Sequence, residues 1–95
     1  MPLTQLETEL RLRARTLIQE GSLPGSVPDR AWGGHGTEQP CSLCGRLITH
    51  KELEYEIESD SGGSRHVYRF HFFCNAAWQF ECARQEYLDG KARFP

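Results

Sequence analysis

The chain has 95 residues, 38% of them hydrophobic, and a formal net charge of −2, which bounds it to one domain with an appendage and a small core. Residues 1–40 carry 4 Lys and Arg against 5 Asp and Glu, and residues 41–95 carry 7 against 8. Neither part has the basic surplus of a binder driven by phosphate electrostatics. No apolar run approaches the roughly 18 residues that span a bilayer, and the N-terminus lacks the basic and apolar regions of a secretory signal. The protein is therefore expected in the cytoplasm, with no membrane partner and with its four cysteines reduced.

The first segment, residues 1–20, is expected to form an amphipathic helix over 2–20. Leu3, Leu6, Leu10, Ala14 and Leu17 recur at helical spacing, with Gln5, Glu9, Arg13 and Glu20 among the polar positions. Thr4 and Glu7 have the spacing of a capping box, and Gly21 followed by Pro24 marks the end. Leu12 and Ile18 widen the apolar stripe, so the helix either docks on the remainder of the chain or serves a partner. Arg11, Arg13 and Arg15 read as a solvated face rather than a phosphate-binding row.

Residues 21–40, with 8 Pro and Gly among 20 positions, read as a connector without periodicity, either a linker or a segment pinned to the surface. Trp32 is expected to pack on the domain that follows or on a partner. His35, between two glycines, reads as solvated rather than as a further metal donor.

The third segment, residues 41–95, holds the compact part. After Cys41-Ser42-Leu43-Cys44-Gly45, a short strand is expected over 46–49 and a turn from His50. Leu53, Tyr55 and Ile57 then alternate with Glu52, Glu54, Glu56 and Glu58, the period of a half-buried strand with an acidic solvent face. A loop over 59–64 leads to a return strand over 65–70, whose Arg65 and Arg69 can face the glutamates. A helix follows from Phe72 to about Leu88. Its two stripes (Phe73, Ala76, Ala77, Phe80 and Tyr87; Cys74, Trp78 and Cys82) are more than one hairpin covers. Gly90 is expected to end it, leaving a polar tail over 91–95.

Two cysteines two residues apart on a tight turn, with His71 and Cys74 three apart at the start of a helix, make a donor set of three thiols and one imidazole. That set suits one tetrahedral Zn2+, although it also accepts iron. A compact part of about 55 residues gains most from such a staple, because structural zinc contributes roughly 10–16 kcal/mol of apparent binding free energy that is also folding free energy. Cys82 is a rival ligand in place of His71, but it lies about 12 Å beyond Cys74 along a regular helix and reads as a small buried residue. His50 and His66 read as surface or cross-strand residues, either of which would have to substitute for His71 without a close partner.

Knuckle, hairpin, then two ligands in the first turn of a helix resembles a treble-clef zinc finger across residues 41–88. The spacing C-x2-C, 26 residues, H-x2-C looks like the first half of a LIM domain, without its second ligand set. The chain is also similar to short uncharacterised bacterial zinc-binding proteins in Cys41 to Ile48, Glu54-Tyr55-Glu56, Phe70 to Cys74 and Trp78 to Glu81. The resemblance implies a small α+β treble clef with an N-terminal helix, and Cys41, Cys44, His71 and Cys74 as ligands of one structural zinc. It implies metal binding and no activity.

The expected function is a non-enzymatic structural zinc module that mediates protein–protein interaction or self-association. Four protein ligands close the sphere that a catalytic zinc leaves open, so no catalytic residue and no small-molecule substrate are expected. A thioredoxin-like role needs a βαβ unit, and the adjacent His pair of treble-clef nucleases is absent around His66, His71 and Asn75. The alternative is a nucleic-acid-binding regulator that gathers Arg11, Arg13, Arg15 and Arg30. A third reading is a thiol redox sensor that releases zinc from Cys41 and Cys44.

Overall fold

The computed structural model describes residues 5–28, 30–61 and 63–93. In chain order they form α1 (Gln5–Gln19), β1 (Arg30–His35), β2 (Gln39–Pro40), β3 (Leu47–Ile48), β4 (Leu53–Ser61), β5 (Ser64–His71) and α2 (Phe72–Arg93). This is a small α+β fold with two helices and a three-stranded sheet of order β1-β4-β5, beside the two-stranded β2-β3 pair. The expected beginning of the first helix, with Leu3 and the capping Thr4, lies outside the described residues. Among the described residues no helix is long and apolar enough to cross a membrane.

The period-two pattern produces the β4–β5 hairpin, in which Tyr55 faces Phe70 and Ile57 faces Tyr68. Alternation sends Ile57 and Phe70 inward, where both are fully buried. Phe70 stacks on Trp78 of α2 with ring centroids 5.0 Å apart. On the other face Arg69 reaches Glu56 at 3.3 Å, and Glu58 takes Arg65 at 3.5 Å and Arg30 at 3.8 Å. Glu54 departs from the expected solvent row. It is buried, and its carboxylate accepts from the amide and hydroxyl of Thr37 at 3.2 and 2.8 Å.

Part of the connector, expected as a linker or as a segment pinned to the surface, is a strand. Residues 30–35 pair antiparallel with β4, placing Trp32 beside Glu56 and Gly34 beside Glu54. The hairpin uses only one edge of β4, and the backbone groups on its other edge need partners as well. Trp32 nevertheless stays 50% exposed on the outer face instead of packing down. Upstream, Gly21 adopts φ +81° and the amides of Ser22 and Leu23 close on the Leu17 carbonyl, which terminates α1. Leu23 is buried, and the Pro24 carbonyl accepts the indole N–H of Trp78 at 2.9 Å.

Helix α1 packs on α2, with Ala14 buried and Leu10, Leu17 and Ile18 lying against the core that holds Ala77, Trp78 and Cys82. Of the three arginines expected on a solvated face, Arg13 is exposed, whereas Arg11 and Arg15 are only partly so. Arg11 and Arg15 are four residues apart, so they share a side, and both reach the buried Glu81 of α2 at 3.4 and 2.8 Å. Arg13 points elsewhere and donates to the Leu43 carbonyl. Arg11 also lies 3.6 Å from the centroid of the Phe80 ring, a cation–π contact. Helix α2 runs through Gly90 to Arg93 rather than stopping. Gly90 is not among the positive-φ glycines, so it lacks the left-handed turn that would end the helix.

Candidate metal centre

The first half of the site is the turn between β2 and β3, whose strands pair Gln39 with Ile48 and Pro40 with Leu47. Inside it the Cys41 amide donates to the Arg46 carbonyl at 2.8 Å and the Gly45 amide to the Cys41 carbonyl at 2.9 Å. Closing that loop requires φ +80° at position 45, a conformation glycine adopts without penalty. The Leu43 amide donates to Cys41 Sγ at 3.4 Å. The fully buried Leu43 side chain anchors the turn in the core.

The second half is the β5–α2 junction, where His71 ends the strand and Cys74 occupies the first turn of the helix. Ser42 joins the halves. Its amide donates to the Arg69 carbonyl at 2.6 Å, and its hydroxyl accepts from the Arg69 amide at 3.0 Å. This docks the turn on the edge of β5 two residues before His71. The sequence carries no signal for that role, since a serine between two cysteines reads as filler.

Cys41, Cys44, His71 and Cys74 thereby converge, and their donor atoms all lie within 4.8 Å of one another. Nδ1 of His71 is 3.4 Å from Cys44 Sγ and 3.9 Å from Cys74 Sγ. A tetrahedron with Zn–S of about 2.3 Å and Zn–N of about 2.0–2.1 Å has S···N edges of about 3.5–3.6 Å, inside that bracket. Nε2 of His71 donates to the Leu47 carbonyl at 3.1 Å, with a carboxylate oxygen of Glu52 at 3.6 Å. The ring proton is thus engaged on the far side, and the Nδ1 lone pair faces the sulfurs.

Three thiols this close cannot all ionise without a cation. The Cys41 thiol is pulled down to about 4, first by the hydrogen bond from Cys74, then by the amides of Cys44, His71 and Leu43, against the effect of burial. Cys44 is pushed up by burial and by the negative charge on Cys41. Cys74 is pushed up by the hydrogen bond it gives Cys41, by burial and by the neighbouring sulfurs. A divalent cation held by these four residues would reverse this order and favour the ionised form of all three thiols.

The remaining candidates stay apart from this group. Cys82 is buried with Sγ 3.6 Å from the Pro24 carbonyl, and burial pushes its thiol up to about 12. His50 is engaged with Glu38 at 3.1 Å, His66 is exposed beside Tyr68, and His35 is exposed on β1. A cavity of about 290 Å³ opens beside the cluster, lined in part by Leu6, Leu10, Cys44, His71, Phe73 and Cys74. Comparison with family models, with curated proteins and with solved structures finds no match to this chain.

Proposed function

We propose that Cys41, Cys44, His71 and Cys74 hold one structural Zn2+ in a treble-clef arrangement, and that the module is a non-enzymatic scaffold for protein interaction or self-association. The observation that carries the metal reading is the convergence of four soft and borderline donors within 4.8 Å, with the histidine oriented by a backbone carbonyl. Zinc fits this set better than hard cations, which prefer oxygen. Four protein donors fill a tetrahedron, so no position remains for a metal-bound water that would attack a substrate.

Support for the interaction role comes from apolar area left uncovered. Phe72, Phe73, Phe80 and Tyr87 of α2 are 49–67% exposed, and Leu6 of α1 is 60% exposed. A second cavity, of about 320 Å³, runs between the helices along Phe72, Phe73, Ala76 and Phe80. The nucleic-acid alternative gains nothing comparable, because Arg11, Arg13, Arg15 and Arg30 are each occupied by a group of the same chain.

Elemental analysis of the purified chain tests the reading. One zinc per chain, lost in Cys41→Ser and His71→Ala but kept in Cys82→Ser, is the expected result. A chain without metal, or with metal retained by all three variants, overturns it.

A further inference from the structure

The ladder determines which way the backbone of β1 points. The Gly36 amide donates to the Glu52 carbonyl at 2.9 Å, continuing the register in which Arg30 faces Glu58 and His35 faces Leu53. Bonded and non-bonded pairs alternate along an antiparallel ladder. Arg30, Trp32 and Gly34 therefore turn their N–H and C=O groups toward β4, while Ala31, Gly33 and His35 turn theirs away from the sheet.

The opposite edge obeys the same alternation and is treated differently. There the outward groups of Arg69 are both taken by Ser42, and arginines flank Val67 along the strand. β1 is the other outer strand, and no described residue covers it in this way. Its sequence, RAWGGH, has no proline or lysine, and its only permanent charge stands at one end. Those are the guards that usually keep an edge from pairing.

We infer that the outer edge of β1 pairs antiparallel with β1 of a second copy of this chain, about a two-fold axis at Gly33. With Gly33 opposite Gly33, Ala31 falls opposite His35 of the second copy, so every outward residue meets an outward residue. That register forms about six main-chain hydrogen bonds. It also sets Trp32 opposite Gly34 of the second copy, on the face that carries Glu56 and Arg69. A Cβ at Gly34 would meet nothing within 4 Å, so there is open space for the half-exposed indole to cover, and aromatic rings pack well over glycine at strand edges. An unrelated strand would satisfy the backbone but not the reciprocal Trp–Gly match. The inference gives the self-association part of the proposed function a surface, and it rests on that reading only through the fold that carries β4.

The test uses the full zinc-loaded chain, with mass by sedimentation equilibrium from micromolar to millimolar concentration and amide exchange by NMR at both extremes. The expected result is a monomer–dimer equilibrium in which the amides of Ala31, Gly33 and His35 slow by about tenfold or more at high concentration. The amides of Trp32 and Gly34, already bonded to β4, should be protected at both. Gly33→Pro deletes an outward donor while sparing the β4 ladder, and should raise the dimer dissociation constant at least about tenfold. Trp32→Ala leaves the backbone unchanged and should weaken the dimer severalfold, which guards against misfolding of the proline variant. A zinc-bound chain that stays monomeric at millimolar concentration overturns the inference. So does a dimer whose Ala31, Gly33 and His35 amides exchange at the monomer rate. Zinc content measured on the same samples separates this from the metal reading: absent zinc overturns that reading, while mass and exchange still decide the strand edge.

Discussion

The imidazole of His71 is steered by Leu47, whose backbone carbonyl lies 3.1 Å from Nε2. A main-chain acceptor cannot be removed by mutation, so the ring presents Nδ1 to the three sulfurs in any sequence that keeps the β2–β3 turn. NMR of the zinc-loaded chain should show the Nε2–H tautomer, with zinc on Nδ1. His71→Ala should lower zinc affinity at least about a hundredfold, and His71→Cys should restore most of it as a site of four thiolates. An Nδ1–H tautomer in the zinc-loaded chain would contradict this geometry.

Metal removal should loosen the protein at a defined place. The turn at Cys41–Gly45 keeps its Ser42 bonds to Arg69 without metal, but Cys44 meets the β5–α2 junction through weak sulfur contacts such as the one to His71 Nδ1. Chelation should therefore lower the melting temperature by well over about 10 °C and broaden NMR signals from residues 41–48 and 71–76 first. An unchanged melting curve in strong chelator would count against a structural metal.

Zinc uptake should depend steeply on pH. Without metal, Cys41 is held down to about 4 and is ionised at neutral pH, while Cys44 and Cys74 are raised and stay protonated. Binding then expels about two thiol protons per ion between roughly pH 5 and 7. Affinity rises with pH over that window and falls on acidification, with a third thiol proton taken up below about pH 4. Proton release measured by calorimetry in buffers of different ionisation enthalpy checks the count. A thiol contribution near zero would mean that the sulfurs are not ligands.

Glu81 holds the two helices together through charge. It is 1% exposed and faces Arg11, Arg15 and Arg84 at 3.4, 2.8 and 3.8 Å. Glu81→Ala leaves arginines that are 22–34% exposed and can turn to water, so the expected loss is about 1–3 kcal/mol. The double variant Arg11→Ala, Arg15→Ala leaves the buried carboxylate with Arg84 alone, at 3.8 Å, and should cost more than Glu81→Ala. Denaturant unfolding of both variants tests the order. Equal effects would mean that the arginines contribute packing alone.

Gly36 is closed to substitution. It is buried, and a Cβ there would fall on the carbonyls of Thr49 and Ile48. Those carbonyls are main chain and cannot swing aside, so Gly36→Ala should destabilise by at least about 3 kcal/mol and weaken zinc retention by displacing the β3 side of the turn. Gly34→Ala, which meets nothing within 4 Å, is the control and should leave the monomer's stability nearly unchanged. Comparable losses at both positions would refute the steric account.

The donors and the hairpin are legible in the sequence because each is a short-range pattern. Cys41 with Cys44, and His71 with Cys74, are fixed by local spacing, and Leu53 to Ile57 announces a strand by alternation. What escapes detection depends on long-range pairing. Arg30–His35 has two glycines and no alternation, and it becomes a strand because β4 offers an unpaired edge. Arg11 and Arg15 look solvated until a buried Glu81 enters from the far end of the chain. Glu54 looks like its neighbours in an acidic row, yet Thr37, brought in by β1, encloses it. Trp32 misleads in the other direction, since its size suggests burial while its place on an edge strand leaves it half open. Ser42 has no signal of its own, because its partner is a backbone.

The chain has two tryptophans, and their surroundings are opposites. Trp78 is sealed against Phe70, with its indole N–H on a carbonyl of the segment after α1, whereas Trp32 stands half in water on the rim of the sheet. Intrinsic emission should therefore separate into a blue component from the interior and a red, quencher-accessible one from the rim. The molecule thus carries two optical reporters of its own: one for the closure of the helices over the sheet, the other for whatever comes to rest along its edge.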